Sequence, residues 1–128
     1  MWRRCLLSGV AVGLLAAAPA RAYVAYVSNE KGNTVSVIDT DSWTVTNTIK
    51  VGQRPRGIEY TRDGKFVMVA VGDDDTIQVI DTKTQQVVDT LPSGPDPELF
   101  TQDAAGKILY VANENDNTVT VLSFSLAT

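Results

Sequence analysis

The sequence predicts an all-β protein built from repeated four-stranded antiparallel units. Three observations support this fold class. The chain matches itself at a fixed offset of 42 residues, its repeats contain short runs rich in valine, isoleucine and threonine, and glycine, asparagine and aspartate separate those runs. The length of 128 residues suits one globular domain rather than two.

The offset is clearest in one strand-like segment that occurs three times. Residues 33–40 read NTVSVIDT, residues 75–82 read DTIQVIDT, and residues 117–122 read NTVTVL. A second segment, YVSN at 26–29, returns as YVAN at 110–113. Because no gap interrupts the match, repetition of one structural unit explains it better than chance.

The middle repeat predicts four strands, which run near 57–61, 65–71, 76–82 and 86–91. The second strand is apolar on both of its faces, as is typical of a strand covered on both sides by neighbouring sheets. The dipeptide Asp63-Gly64 predicts a type I′ hairpin turn between the first two strands. Polar loops join the second and third strands of every repeat.

Four strands in a unit of about 42 residues indicate the blade of a β-propeller. The chain accounts for about two and a half blades, because the third repeat ends at Thr128 before a fourth strand. We therefore expect an incomplete ring in which apolar residues such as Val67, Val69 and Val111 need cover. That cover would come from a protein partner or from self-association.

Residues 1–22 are predicted to be a signal peptide. Two arginines precede an apolar run at 6–18, and the small residues Ala20 and Ala22 favour cleavage after Ala22, which leaves a partial propeller domain at 23–128. The apolar run is shorter than the ~20 residues that cross a bilayer, so we expect no stable membrane anchor. The expected location is the periplasm.

Composition excludes several classes of function. The net charge is −4, and removal of the three leader arginines leaves eight basic and fifteen acidic side chains, or −7. Without a contiguous basic stretch, nucleic acid is not an expected partner. The absence of histidine excludes Ser-His-Asp and Cys-His sites as well as histidine ligation of metal or haem. The single cysteine, Cys5, lies in the predicted leader and permits no internal disulfide.

Strand order predicts where a ligand would bind. The loops from fourth strand to next first strand, and from second strand to third, emerge at one end of the blades, around the channel mouth. Arg54 and Arg56 lie in one such loop, and Asp96 and Glu98 lie in the next. The arginines could bind the carboxylate or phosphate of a small anionic ligand. Alternatively, they pair with Asp96 and Glu98.

Other polar residues favour structural roles. The triplet at 73–75 could bind calcium, but its counterparts in the other repeats are not carboxylate triplets, which favours a plain hairpin loop. Asp39 and Asp81 occupy matching strand ends, so hydrogen bonds to backbone are favoured over a catalytic pair. Tyr26 and Tyr110 are interpreted as blade packing. No catalytic, cofactor-binding or metal-binding residue is predicted.

The YVSN and YVAN segments, each followed by Asn-Thr-Val, resemble the repeat of the YVTN family of β-propellers. From Tyr23 to Val121, including GQRPRG at 52–57 and PSGPDPELF at 92–100, the chain is most similar to exported propeller proteins associated with PQQ-dependent alcohol catabolism. The resemblance implies association with PQQ chemistry, and it assigns no bound cofactor.

Three functions follow as expectations. The first is an exported, non-catalytic binding or accessory propeller. The second is a propeller enzyme of lactonase or quinoprotein type with a site at the channel mouth. The third is a truncated or decayed product without independent activity. Fold class alone does not choose among them, because propellers host binding and catalysis alike.

Overall fold

The predicted all-β fold is confirmed. A computed structural model describes residues 23–126, which form ten strands in three antiparallel sheets. The predicted signal peptide lies outside the described residues.

Each sheet is one blade, numbered here in chain order. Blade 1 contains β1 (Val24–Asn29), β2 (Thr34–Asp39) and β3 (Thr44–Lys50). Blade 2 contains β4 (Pro55–Tyr60), β5 (Phe66–Val71), β6 (Thr76–Asp81) and β7 (Gln86–Pro92). Blade 3 contains β8 (Pro97–Gln102), β9 (Ile108–Asn113) and β10 (Thr118–Ser123).

The 42-residue period is visible in the strand positions. β1, β5 and β9 begin at Val24, Phe66 and Ile108, which are 42 residues apart. Blade 2 has all four strands, while the described part of blade 1 has the equivalents of its second to fourth strands and that of blade 3 its first to third. The predicted strand bounds in the middle repeat agree with the structure to within about two residues.

The predicted type I′ turn at Asp63-Gly64 is wrong. A type I′ turn needs positive φ at both central residues, and here Gly64 has φ of 70° while Asp63 does not have positive φ. The Gly64 N–H donates to the Thr61 carbonyl, so Arg62 and Asp63 are the central residues of the turn and Gly64 follows it. Gly106 repeats this arrangement at φ of 65°.

Blade 2 is covered on both faces. Val67, Val69 and Val71 pack with residues of blade 1, whereas Met68 and Ala70 pack with residues of blade 3. All six side chains of β5 are therefore buried, as its continuous apolar sequence predicted. Each valine buried in this way contributes roughly 1.5–3 kcal/mol of transfer free energy.

The prediction that Val67, Val69 and Val111 would need external cover is wrong. These side chains are between 0% and 1% exposed, because they lie in the interfaces between adjacent blades. Exposed apolar residues include Val27 on the outward face of blade 1 and Leu99 on that of blade 3, and blade 2 has one as well in Val88, which is 53% exposed. Among residues 23–126, no helix is long and apolar enough to cross a membrane.

Candidate functional site

The candidate site lies at the end of the blades that carries Arg54 and Arg56, termed here the arginine face. A repeated hydrogen bond builds it: the Arg54 N–H donates to Asn33 Oδ1 at 3.0 Å, and the Asp96 N–H donates to Asp75 Oδ1 at 2.9 Å. All four residues adopt positive φ between 53° and 59°. Each loop that enters a blade is thereby fastened to the hairpin loop of the preceding blade. This confirms that the two kinds of loop share one end of the blades.

Arg54 contacts carboxylates from all three blades. Its Nη1 donates to Asp73 Oδ1 at 3.1 Å, and its Nη2 donates to Asp96 Oδ2 at 3.1 Å. Glu30 lies 3.4 Å from Nε, and Glu114 lies 3.5 Å from Nη2. The guanidinium group is therefore surrounded by acids rather than open to an anionic ligand.

Arg56 is paired in the same way with blade 3. Its Nη1 donates to Glu114 Oε2 at 2.6 Å, and its Nη2 donates to Glu98 Oε1 at 2.8 Å. Asp96 Oδ1 lies 3.6 Å from Nη1. Together the two arginines and their five carboxylate partners form what we call the channel-mouth network. Its members are Glu30, Arg54, Arg56, Asp73, Asp96, Glu98 and Glu114.

The repeat explains why these charges meet. Arg54 and Asp96 occupy equivalent positions 42 residues apart, and so do Arg56 and Glu98. Equivalent loops lie side by side in adjacent blades, so opposite charges at equivalent positions pair across the blade boundary. The network therefore links blade 2 to blade 3 through residues that have opposite charges at equivalent positions of the repeat.

Asp96 is the least accessible carboxylate of the network, at 3% residue exposure. Its Oδ1 accepts no hydrogen bond and points towards Gly72, where a Cβ would lie only 2.7 Å from that oxygen. The missing side chain at Gly72 creates the space for Asp96, while the equivalent positions carry Glu30 and Glu114. One glycine thus permits a buried acid between two arginines.

Pairing shifts the pKa of both arginines and of Glu114 further from neutral pH. The hydrogen bond to Asp73 raises the pKa of Arg54, and the hydrogen bond to Glu114 raises the pKa of Arg56. Conversely, Arg56 lowers the pKa of Glu114. General acid–base catalysis favours a pKa near the working pH, so these shifts favour fixed charges over proton transfer.

The four predicted site residues are brought together, and the pairing interpretation of Arg54 and Arg56 is the one that the structure shows. Sequence reasoning missed Glu30, Asp73 and Glu114. Glu30 and Glu114 begin matching hairpin loops 84 residues apart. Their matching places at the start of the hairpin loops, at the same end of the blades as the arginine loop, are the signal that could have pointed to them.

The acidic triplet at 73–75 is divided among three structural partners. Asp73 pairs with Arg54, Asp74 Oδ2 accepts a hydrogen bond from the Gln53 N–H at 3.0 Å, and Asp75 accepts one from Asp96. The three carboxylates therefore diverge, as the hairpin-loop interpretation predicted. Within the described residues no group of three or more acidic, histidine or cysteine side chains is arranged to hold a metal ion.

Asp39 and Asp81 have the predicted structural role. Asp39 Oδ1 accepts from the Ser42 N–H, and Asp81 Oδ1 accepts from the Thr84 N–H, each at 2.7 Å. Tyr26 packs in the blade 1–blade 2 core and contacts the ring edge of Tyr60 at 5.6 Å between centroids. Tyr110 instead lies on the outward face of blade 3, where it is 40% exposed.

The family of the chain follows from these repeats. A family model described as YNCE-like beta-propeller matches residues 5–125. The chain belongs to this YNCE-like β-propeller family. No curated protein sequence matches it significantly.

Solved structures resemble the YNCE-like propeller in fold. Hydrazine synthase of Kuenenia stuttgartiensis matches 78% of the chain at 25% identity with a TM-score of 0.73. A functionally unknown protein from Desulfotomaculum acetoxidans DSM 771 matches 80% of the chain at 24% identity with a TM-score of 0.68. Dihydro-heme d1 dehydrogenase NirN, in complex with DHE, matches 86% of the chain at 18% identity with a TM-score of 0.68. The chain spans 29%, 34% and 24% of those three chains, respectively.

Proposed function

We propose that this protein is an exported, non-catalytic binding propeller that serves PQQ-dependent alcohol oxidation as an accessory protein. The observation that carries the binding role is the channel-mouth network, in which seven charged side chains from three blades are fixed in one set of ion pairs. A preorganised surface of this kind favours recognition, since little side-chain entropy is lost on binding. The link to PQQ chemistry rests on the sequence resemblance.

Charge on the arginine face favours a basic partner. Five carboxylates surround two guanidinium groups, and the outer carboxylates of Glu30, Glu98 and Glu114 are between 41% and 53% exposed. A small anion would have to displace carboxylates that already hold both arginines. PQQ itself carries three carboxyl groups, so the proposed contact is with a dehydrogenase protein rather than with its cofactor.

A binding assay tests the proposal. The purified chain is immobilised and titrated with a PQQ-dependent alcohol dehydrogenase from the same organism. We expect saturable binding that weakens as NaCl is raised, because exposed charge pairs are screened. Glu98→Gln with Glu114→Gln should lower the affinity, whereas Asp41→Asn with Asp89→Asn removes two exposed carboxylates from elsewhere and should leave it unchanged.

Two further variants separate the arginine face from general electrostatics. Arg54→Ala with Arg56→Ala should weaken binding because the carboxylates lose their fixed positions, while Lys65→Ala with Lys107→Ala at the opposite end of the blades should have little effect. Equal losses from both pairs would overturn the assigned face. Turnover of a lactone or an alcohol by the purified chain would replace the proposal with the enzymatic alternative.

Export is tested separately by intact-mass measurement on the periplasmic fraction. We expect a chain that begins at Tyr23, because the predicted leader has the small residues Ala20 and Ala22 at the cleavage point. Recovery of the full-length chain in the membrane fraction would contradict cleavage and export to the periplasm.

A further inference from the structure

A cavity of about 260 Å³ lies between blades 2 and 3, at the end opposite the arginine face. Blade 2 contributes the turn between β4 and β5, and blade 3 contributes the turn between β8 and β9 together with the residues that follow β10. The volume is slightly below the roughly 300–1,000 Å³ of pockets that hold drug-sized ligands. The cavity therefore suits a molecule with a single ring or a short branched chain.

The apolar wall of the cavity arises where blade 3 departs from the repeat. In blade 2, Asp81 closes a turn by accepting hydrogen bonds from backbone N–H groups two and three residues later. The equivalent residue of blade 3 is Ser123, and the described residues after it form no turn. Two of them, Phe124 and Leu126, instead pack against the core shared by blades 2 and 3. Together with Phe66 they line the cavity and offer an apolar surface to a ligand.

Arg62 lines the polar side of the cavity, and its guanidinium group is held differently from those of the channel-mouth network. Its Nε and Nη2 donate to two backbone carbonyls of blade 3 at 3.2 and 2.8 Å. These neutral acceptors fix the group in place without neutralising its charge. Glu59 Oε1 lies 3.8 Å from Nη1, and among residues 23–126 that nitrogen donates no hydrogen bond. Nη1 is therefore available to donate to a ligand.

The charges that line the cavity favour an anion. Lys107 adds a second cation, and within the described part of the chain it takes part in no ion pair. Asp63 also lines the cavity, but its Oδ1 already accepts from Thr61 Oγ1 at 2.7 Å and from the Lys65 N–H at 3.1 Å. Two cations against one carboxylate leave the lining with a net positive charge, which attracts a negatively charged group.

We propose that this cavity binds a small amphipathic carboxylate, in which one aromatic ring or one branched alkyl group carries the acid. The apolar part lies against Phe124 and Leu126, and the carboxylate accepts hydrogen bonds from Arg62 Nη1 and Lys107 Nζ. The site and the arginine face are at opposite ends of the blades. Binding of the carboxylate and binding of the proposed protein partner are therefore measured independently.

Isothermal titration calorimetry of the purified full chain at pH 7 tests the charge and shape of the ligand. Phenylacetate and 3-methylbutyrate are the anionic probes, while phenylacetamide and phenethylamine are neutral and cationic probes of similar size. We expect saturable binding of phenylacetate with one site per chain, and at least about tenfold weaker binding of phenylacetamide, because charged hydrogen bonds are the stronger ones. The proposal is overturned if neither carboxylate binds saturably, or if phenylacetamide or phenethylamine binds as tightly as phenylacetate.

Two lysines at equivalent positions of the repeat provide matched variants. Lys107→Gln should weaken phenylacetate binding by about fivefold or more, whereas Lys65→Gln should leave it unchanged, because Lys65 does not line the cavity. Arg62→Gln should weaken it by at least about tenfold. Phe124→Thr, which gives blade 3 the residue that blade 2 has at the equivalent position, should remove the apolar wall and the binding with it.

Circular dichroism checks that each variant is folded. Lys107 is exposed, so its replacement tests the site even if Arg62→Gln or Phe124→Thr disturbs the structure. Equal losses of affinity from the two lysine variants would indicate general electrostatics and would contradict the assigned site, as would an unchanged affinity in Lys107→Gln.

Discussion

Aspartates at the two ends of the blades serve different purposes. At the end opposite the arginine face, Asp39, Asp63, Asp81 and Asp103 each accept hydrogen bonds from backbone N–H groups two to five residues away. At the arginine face, Asp96 accepts from Arg54, which is 42 residues away in the sequence. The four aspartates at the first end therefore complete local turns, whereas Asp96 at the arginine face joins two blades.

This difference shows at which end of the blades the residues can differ from one repeat to the next. A turn that satisfies its own backbone groups can use the same residue at equivalent positions, as Asp39 and Asp81 illustrate. A contact between blades needs complementary rather than identical residues. Arg54 and Asp96, and likewise Arg56 and Glu98, occupy equivalent positions with opposite charges. The charged residues that differ between equivalent positions and pair across blades therefore lie at the arginine face.

Asp96→Asn is expected to have the largest effect on stability among the changes that test this difference between the two ends. Asparagine keeps the shape and tolerates positive φ, but it removes the charge that lies between two arginines. We expect a loss of about 3 kcal/mol in the free energy of unfolding, because a mostly buried ion pair loses one partner. Asp81→Asn, a change in a local turn, should cost clearly less. Urea denaturation followed by circular dichroism compares the two, and similar losses would contradict the contrast.

The next largest effect is expected from Gly72→Ala. The added Cβ would approach Asp96 Oδ1 to 2.7 Å, so the carboxylate must move away from its arginines. The expected cost is about 2 kcal/mol, as for other overpacked sites. Gly32→Ala, whose new Cβ would meet its nearest atom at 3.4 Å, should change stability by less than about 0.5 kcal/mol. Thermal unfolding of both variants measures the difference, and an unaffected Gly72→Ala protein would refute the close fit.

Salt dependence sharpens the comparison between the ends. The Arg56 hydrogen bond lowers the pKa of Glu114, so the stabilisation from Glu114 is complete above the ordinary Glu pKa of about 4.3 and is lost as the pH falls further. At pH 7, Glu114→Gln should destabilise the protein in low salt and much less in about 1 M NaCl, where the Debye length is ~3 Å. Asp81→Asn should show little change with salt, because it alters short hydrogen bonds to backbone. Equal salt dependence of the Glu114→Gln and Asp81→Asn variants would contradict the distinction between charge pairs at the arginine face and local turns at the opposite end.

The smallest effect is expected from Lys65→Ala and Lys107→Ala. Both lysines are exposed at the end opposite the arginine face, and they follow the matching glycines of equivalent hairpins. Each change should alter the free energy of unfolding by less than about 0.5 kcal/mol. Chemical denaturation checks this, and a larger loss would reveal that charged contacts also matter at this end.

Sequence reasoning located the blades because burial on both faces leaves a strong pattern. The segment from Phe66 to Val71 is apolar throughout, and every one of its side chains is buried. The turn type at Asp63-Gly64 was predicted wrongly. A glycine in the sequence indicates that one residue can adopt positive φ, but it does not show whether that residue is central to the turn or follows it. The repeat also placed Arg54, Arg56, Asp96 and Glu98 at one end of the blades.

The partners of the arginines were only partly predictable. Asp96 and Glu98 lie at the repeat-equivalent positions, so the 42-residue offset indicates them directly. Glu114 lies 58 residues from Arg56, and that separation follows from the packing of blade 3 on blade 2 rather than from any period. The same packing decided that Val111 is buried and Tyr110 is exposed, although both belong to one short strand.

The sequence by itself determined the repeat, the four strands of the middle repeat and the shared end of the loops, because these depend on local patterns of apolar and turn-forming residues. Only the tertiary structure decided which charges pair, that Gly72 makes room for Asp96, and which faces remain exposed. Those outcomes depend on distances between blades. Residues far apart in the sequence meet there through side-chain shape, and a periodic pattern does not encode that shape.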